Sequence, residues 1–255
     1  MKMVIDTAAR TLTTADSGSE RTLGLYTKAA FEAISRQWVR VGWSLRYYHN
    51  FSWFGHPILQ MPEDLLRLQE VVYRIRPDVI VETGVFRGGS LMFHATLCEA
   101  LGSGRVIGID CQIEADDREA IGRHLLASRI SLVEGDSTSP EVFERVASLI
   151  RPEESVLVLL DSCHAKEHVA RELDLYSRLV TPGSCIVAAD GIMRDLADVP
   201  GGQPEWVYDN PLAAATEFAA RHPEFVQEQP PWLFHDGELT ENVSYWPGAW
   251  LTRMR

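Results

Sequence analysis

Val79-Ile-Val-Glu-Thr-Gly-Val-Phe-Arg-Gly-Gly-Ser90 decides the fold. A β-branched apolar run ends in an acid, then a glycine-rich turn opens onto a helix-like segment from Leu91 to Leu101. This is the strand, turn and helix that begin a nucleotide-binding α/β domain. Gly84, Gly88 and Gly89 permit a backbone path that side chains would block, and the helix that follows presents free N–H groups at its start. Glu82 at the strand end selects among ligands: a carboxylate suits a cationic amino-acid head and repels a pyrophosphate. Val85 and Phe86 occupy the place of the second glycine of G-x-G-x-x-G, which disfavours a dinucleotide. The turn therefore reads as a site for S-adenosylmethionine, with Glu82, Gly84, Arg87, Gly88, Gly89 and Ser90 holding its methionine end.

Alternation continues outward from this unit. Strands are expected at Arg105–Asp110, Arg129–Glu134, Ser155–Asp161 and Ser184–Asp190, with helices at 116–127, 140–150 and 166–179 between them. Regular β-α alternation implies a doubly wound, mostly parallel sheet, a Rossmann-like methyltransferase fold in the α/β class. Strands near Phe225 and Trp250 would bring the sheet to seven. Asp198-Val-Pro-Gly-Gly-Gln-Pro reads as a mobile loop. Upstream, 1–21 reads as a flexible N-terminus, and 22–76 as a helical extension with a helix over 22–49, a lid or dimer contact. The binding domain spans 77–255.

Composition narrows the function. The net charge of −12 argues against a nucleic-acid partner. No apolar run is long enough to span a membrane, and the start lacks the apolar core of a signal peptide. Cys98, Cys111, Cys163 and Cys185 are scattered and read as small buried residues in a reducing cytoplasm. The long N-terminal helix allows a homo-oligomer.

Ligands of open parallel sheets bind at the carboxyl ends of the strands, where Glu82, Asp110, Asp161 and Asp190 fall. Asp110 suits the ribose hydroxyls. Asp136 and Ser137 stand where an adenine amino group would arrive, although a plain turn explains them nearly as well. In Asp161-Ser-Cys-His-Ala-Lys-Glu-His168 the two histidines are four apart and would share a helix face. Asp161, His164 and His168 would make the two-histidine, one-carboxylate set of an iron oxygenase, whereas Asp161 with Asp190 is oxygen-rich and suits Mg²⁺ better. His164 is then placed to remove a proton from a metal-bound hydroxyl, with His168 the second candidate base. Trp53, Phe54, Trp232, Phe234 and Trp246 would stack on sugar or aglycone rings, or simply pack.

Glu82-Thr-Gly-Val-Phe-Arg-Gly-Gly-Ser90, Gly108-Ile-Asp110, Leu160-Asp-Ser-Cys-His164 and Asp190-Gly-Ile-Met193 together resemble the family that joins cephalosporin hydroxylase-type proteins to rhamnosyl O-methyltransferases. The resemblance runs from about Phe51 to about Trp250. It implies a methyltransferase using S-adenosylmethionine and a divalent metal on a sugar hydroxyl, first of all rhamnosyl, of a glycosylated natural product in antibiotic-type metabolism. The alternatives it carries are a metal-dependent hydroxylase and a non-catalytic partner protein. Where metal-binding relatives end the fifth strand in Glu-Asp, this chain has Ala189-Asp190, so one expected ligand is missing.

Overall fold

The computed structural model describes residues 1–16 and 18–255. Strands β1 (Lys2–Asp6), β2 (Thr11–Asp16) and β3 (Ser19–Gly24) form an antiparallel meander. The flexible start expected for 1–21 is thus corrected, apart from Ser17, which lies outside the described residues. Thr-rich stretches favour strands, and Asp6 accepts the Ala8 and Ala9 amides to make the first turn. Thr22 and Leu23 pair with Thr13 and Leu12, so helix α1 (Lys28–Ser44) starts six residues later than the expected Thr22. Thr27 caps it by accepting the Ala30 amide. A hairpin of β4 (Ser52–Trp53) and β5 (His56–Pro57) leads to α2 (Pro62–Ile75), which opens with proline in its first turn and ends at Arg76 in a left-handed conformation before Pro77.

The main sheet follows. Strands β6 (Val79–Thr83), β7 (Arg105–Asp110), β8 (Ile130–Glu134), β9 (Val156–Leu160) and β10 (Cys185–Ala188) are parallel. Between and after them come α3 (Gly89–Leu101), α4 (Ala115–Arg123), α5 (Pro140–Ser148), α6 (Lys166–Tyr176) and α7 (Pro211–Arg221). Antiparallel β11 (Phe225–Gln227) and β12 (Trp250–Arg253) complete seven strands in the order β11-β12-β10-β9-β6-β7-β8. The expected doubly wound sheet is present. Its apolar strands are buried on both sides: Ile80, Val106 and Leu157 pack with α2 and α3, while Val81, Ile107 and Val158 pack with α5, α6 and α7. Each such side chain contributes about 1.5–3 kcal/mol when fully buried.

The segment around Asp198 is pinned by α1 and not left loose. Arg40 donates to the Asp195 carbonyl and to Asp198, each at 2.7 Å, and Ser44 donates to the Pro200 carbonyl at 3.1 Å. Trp43 meets Trp206 edge to face at 5.3 Å. Glycine and proline mark a turn in sequence, but only the fold shows that a helix some 155 residues earlier holds it.

Candidate active site

Strands β6 and β9 are neighbours, yet the chain leaves β6 toward β7 and β9 toward β10, so the order reverses between them. A crevice opens at the carboxyl ends of such a pair. A cavity of about 620 Å³ lies there. Gly84, Gly89 and Ser90 border it from the turn, Asp110, Asp136 and Ser137 from the next two strands, and Asp161, His164 and Asp190 from the other half of the sheet. Most of the expected site residues therefore converge. Glu82, Arg87 and Gly88 do not line it.

Glu82 is fully buried behind the turn, and neither carboxylate oxygen has a hydrogen-bond partner of acceptable geometry. Burial raises its pKa to about 8, with the Ser90 hydroxyl acting in the opposite sense. Gly84 has φ +93°, and a Cβ there would stand 2.1 Å from the Asp161 carbonyl, so this glycine closes the gap between β6 and β9. Arg87 departs from the expectation: its guanidinium lies over the Phe86 ring at 5.6 Å and its carbonyl faces His56 Nδ1 at 3.1 Å. Asp110 is engaged within the fold. Its Oδ2 accepts the Val85 and Phe86 amides at 2.8 and 3.2 Å, which fixes the turn to β7. Asp136 spends Oδ1 on the Thr138 amide and hydroxyl, and these bonds hold its carboxyl below the usual range.

Asp161, His164 and Asp190 each offer one ligand atom, all within 4.8 Å of one another. His164 Nε2 is 3.6 Å from Asp190 Oδ2. Burial, then Asp190 and Glu82, push the Asp161 carboxyl well above the usual carboxylate range, and burial raises that of Asp190 against the pull of His164. Two crowded acids with a histidine between them suit a divalent cation, whose charge would relieve the repulsion. Gln60 donates to Asp161 Oδ2 at 3.0 Å and leaves its own buried Oε1 unpartnered. Asp190 sits at φ 58°, ψ 29°, a left-handed conformation that is sparsely populated by non-glycine residues and is held here two residues past the end of β10. Ala189 is fully buried in the cluster that contains Leu196 and Trp246, so the position of the expected second acid is filled by packing.

Helix α6 begins only at Lys166, so His164 precedes it and the two histidines do not share a helical face. His168 joins a different group. Its Nε2 lies 3.3 Å from Ser137 Oγ and 3.2 Å from Ser162 Oγ, and both hydroxyls donate to buried Glu172, which raises the histidine's pKa. The iron set of Asp161, His164 and His168 is thus not assembled, and the Ser137 hydroxyl is turned toward Glu172.

Of the two readings open for the five aromatics, packing holds for Trp53, Trp232 and Trp246. Trp53 packs on Phe93 at 5.0 Å and donates to Thr96, Trp232 donates to Asn242, and Trp246 is buried, while Phe54 and Phe234 are exposed. None of the five borders the cavity. Its aromatic wall is instead Trp43, Tyr48, Phe86 and Trp206, beside Met193. The clustered aromatics of Trp43-Ser-Leu-Arg-Tyr-Tyr48 were the available signal. Cys111 and Cys163 are exposed along the cavity, whereas Cys98 and Cys185 are buried, which corrects the expectation that all four are buried.

Strand order, glycine turn and the acids at the carboxyl edge define a Rossmann-like methyltransferase fold. Residues 45–254 match the family Rhamnosyl O-methyltransferase/CmcI, and the chain belongs to that family. The Rhamnosyl O-methyltransferase of Mycobacterium leprae is 28% identical over 151 residues, 56% of this chain and 64% of the relative. That of Mycobacterium bovis is 26% identical over 165 residues, 62% of this chain and 66% of the relative, so the chain spans somewhat under two thirds of either. Among solved structures, CmcI with Mg and SAM is 20% identical over 80% of this chain and 77% of that one, with TM-score 0.52. MycE methyltransferase of the mycinamycin biosynthetic pathway, with Mg and SAH, is 20% identical over 95% of this chain and 66% of that one, with TM-score 0.50. These likenesses are to the fold.

Proposed function

We propose that the chain is an S-adenosylmethionine-dependent O-methyltransferase acting on a sugar hydroxyl, first of all rhamnosyl, of a glycosylated natural product. The grouping of Asp161, His164 and Asp190 within 4.8 Å, in a cavity bordered by the glycine turn, carries this reading. Family membership and the names of the curated relatives support the sugar acceptor. An iron-dependent hydroxylase loses its ground because His168 is engaged with Glu172.

Buried Glu82, with two unpartnered oxygens, suits the ammonium of the methionine end, and Gly84, Gly89 and Ser90 shape the space beside it. Asp110 would meet the ribose from its place on the turn, and Asp136 the adenine. Asp161 and Asp190 would hold Mg²⁺. When bound, the cofactor supplies a methyl group on a positively charged sulfur, and the metal lowers the pKa of a coordinated hydroxyl. His164 takes the hydroxyl proton on Nε2, and Asp190 beside it steadies the resulting imidazolium. Trp43, Tyr48 and Trp206 offer apolar faces to the C–H side of a sugar ring and keep water from the reacting oxygen. Positioning of this kind is worth about 7–11 kcal/mol at best.

Titrating Mn²⁺ into His164→Ala and Asp161→Asn variants, alongside turnover, tests the division of roles. His164→Ala should keep metal affinity and lose turnover by a factor on the order of 10²–10⁴, whereas Asp161→Asn should lose both. Loss of metal affinity in His164→Ala would make the histidine a third ligand and move the base elsewhere.

A further inference from the structure

Helix α3 presents Ser90 and His94, four residues apart, on one face. That face lies against Glu82: the Ser90 hydroxyl acts on its carboxyl from the cavity side, and His94 Nε2 stands 3.7 Å from Glu82 Oε2 on the inner side. Glu82 and His94 are both fully buried, and all four of their side-chain polar atoms lack hydrogen-bond partners. Around them the core is apolar, with Leu91, Met92, Phe93 and Ala95 of the same helix in its main cluster. A histidine is a costly choice for such a place, since a leucine or methionine of similar bulk would pack there without unpaired nitrogens. The separation exceeds an N–H···O hydrogen bond by only about 0.7 Å, within reach of a small side-chain rotation.

We propose that His94 is the positioning residue for Glu82: when the ammonium of the cofactor's methionine end draws Glu82 into its carboxylate form, His94 Nε2–H donates to Glu82 Oε2, steadies that carboxylate in its apolar surroundings and leaves Oε1, with Ser90, for the ammonium. This rests on the reading of the cavity as an S-adenosylmethionine site. Two buried groups that are unpartnered in the free protein thereby become a chain from the core to the ligand's charge.

The test is calorimetric titration of the full chain with S-adenosylhomocysteine, which carries the ammonium, and with methylthioadenosine, which lacks the amino-acid end. Wild type, Glu82→Gln, His94→Leu and His94→Asn are compared, and thermal unfolding of each free protein reports packing separately. His94→Leu should bind S-adenosylhomocysteine ~10-fold or more weakly, the loss of one hydrogen bond to a charged group. Its affinity for methylthioadenosine should stay within about twofold, and its melting temperature should be unchanged or higher. His94→Asn, which retains an N–H donor, should recover most of the lost affinity. His94→Met makes the same comparison should the leucine variant not fold. The proposal is overturned if His94→Leu binds S-adenosylhomocysteine as wild type does while Glu82→Gln does not, or if it loses both ligands equally. Failure of wild type itself to bind S-adenosylhomocysteine would instead overturn the cofactor reading, and the role of His94 with it.

Discussion

Asp110 joins one observed task to one proposed task. Its Oδ2 holds the Val85 and Phe86 amides, tying the glycine turn to β7, and its place at the end of the second parallel strand is the one proposed above for meeting a ribose. Asp110→Ala should therefore raise the dissociation constant for S-adenosylhomocysteine by more than the loss of a ribose contact alone, to ~10-fold or beyond, as calorimetry would show. An unchanged constant would overturn the ribose reading of Asp110. The placement of Glu82, Asp161 and Asp190 at the carboxyl ends of apolar strands was legible in the sequence, because each lies at or just beyond the end of a β-branched or leucine-rich run. The orientation of Arg87 and the engagement of Ser137 by Glu172 were not, because each depends on a partner that only folding brings near. His94 was equally hidden, lying in the apolar run Leu91-Met-Phe-His-Ala95 with no other polar residue beside it.

At the scale of elements, the first turn of α2 and the loop before β12 are joined by Asp64. Ser244 Oγ donates to one of its oxygens and the Tyr245 amide to the other at 2.9 Å, while the Trp246 amide donates back to Ser244 Oγ at 2.7 Å. The Tyr245 carbonyl in turn accepts the Ile192 amide, next to Asp190. Burial foremost, with Asp190 and Glu63 adding and the two hydrogen bonds opposing, raises the Asp64 pKa from 3.8 to about 7. The folded state then holds this proton more tightly than the unfolded one. Its stabilising contribution is complete below about 3.8 and is lost as pH rises through about 7. Asp64→Asn should flatten this dependence, so that melting temperatures measured from pH 5 to 8 fall less than in wild type; an identical slope would place the titration elsewhere. Periodicity located α2 and the strands, but not this strap, since its partners are some 180 residues apart. The meander of β1 to β3 was missed for another reason, because its strands are only five or six residues long and mostly exposed, and so carry little apolar alternation.

Across the whole molecule, the sheet brings the acids to one edge, and the chain on either side of the parallel strands closes over it. Trp43 and Tyr48 arrive from the N-terminal extension, and Met193 and Trp206 from the segment after β10. The N-terminal extension thus supplies part of the cavity's aromatic wall. Within this frame a cofactor bound along β6 to β8 would face the Asp161, His164 and Asp190 group across the switch point. Among the described residues no helix is long and apolar enough to cross a membrane. Methyl transfer to a sugar hydroxyl at that group is tested most directly by incubation with methyl-labelled S-adenosylmethionine and a set of rhamnosylated acceptors, before and after chelation by EDTA and with Mg²⁺ restored. Label should enter the sugar, be lost on chelation and return with Mg²⁺. Donor that binds yet leaves every sugar acceptor unlabelled, with Mg²⁺ present, would contradict it.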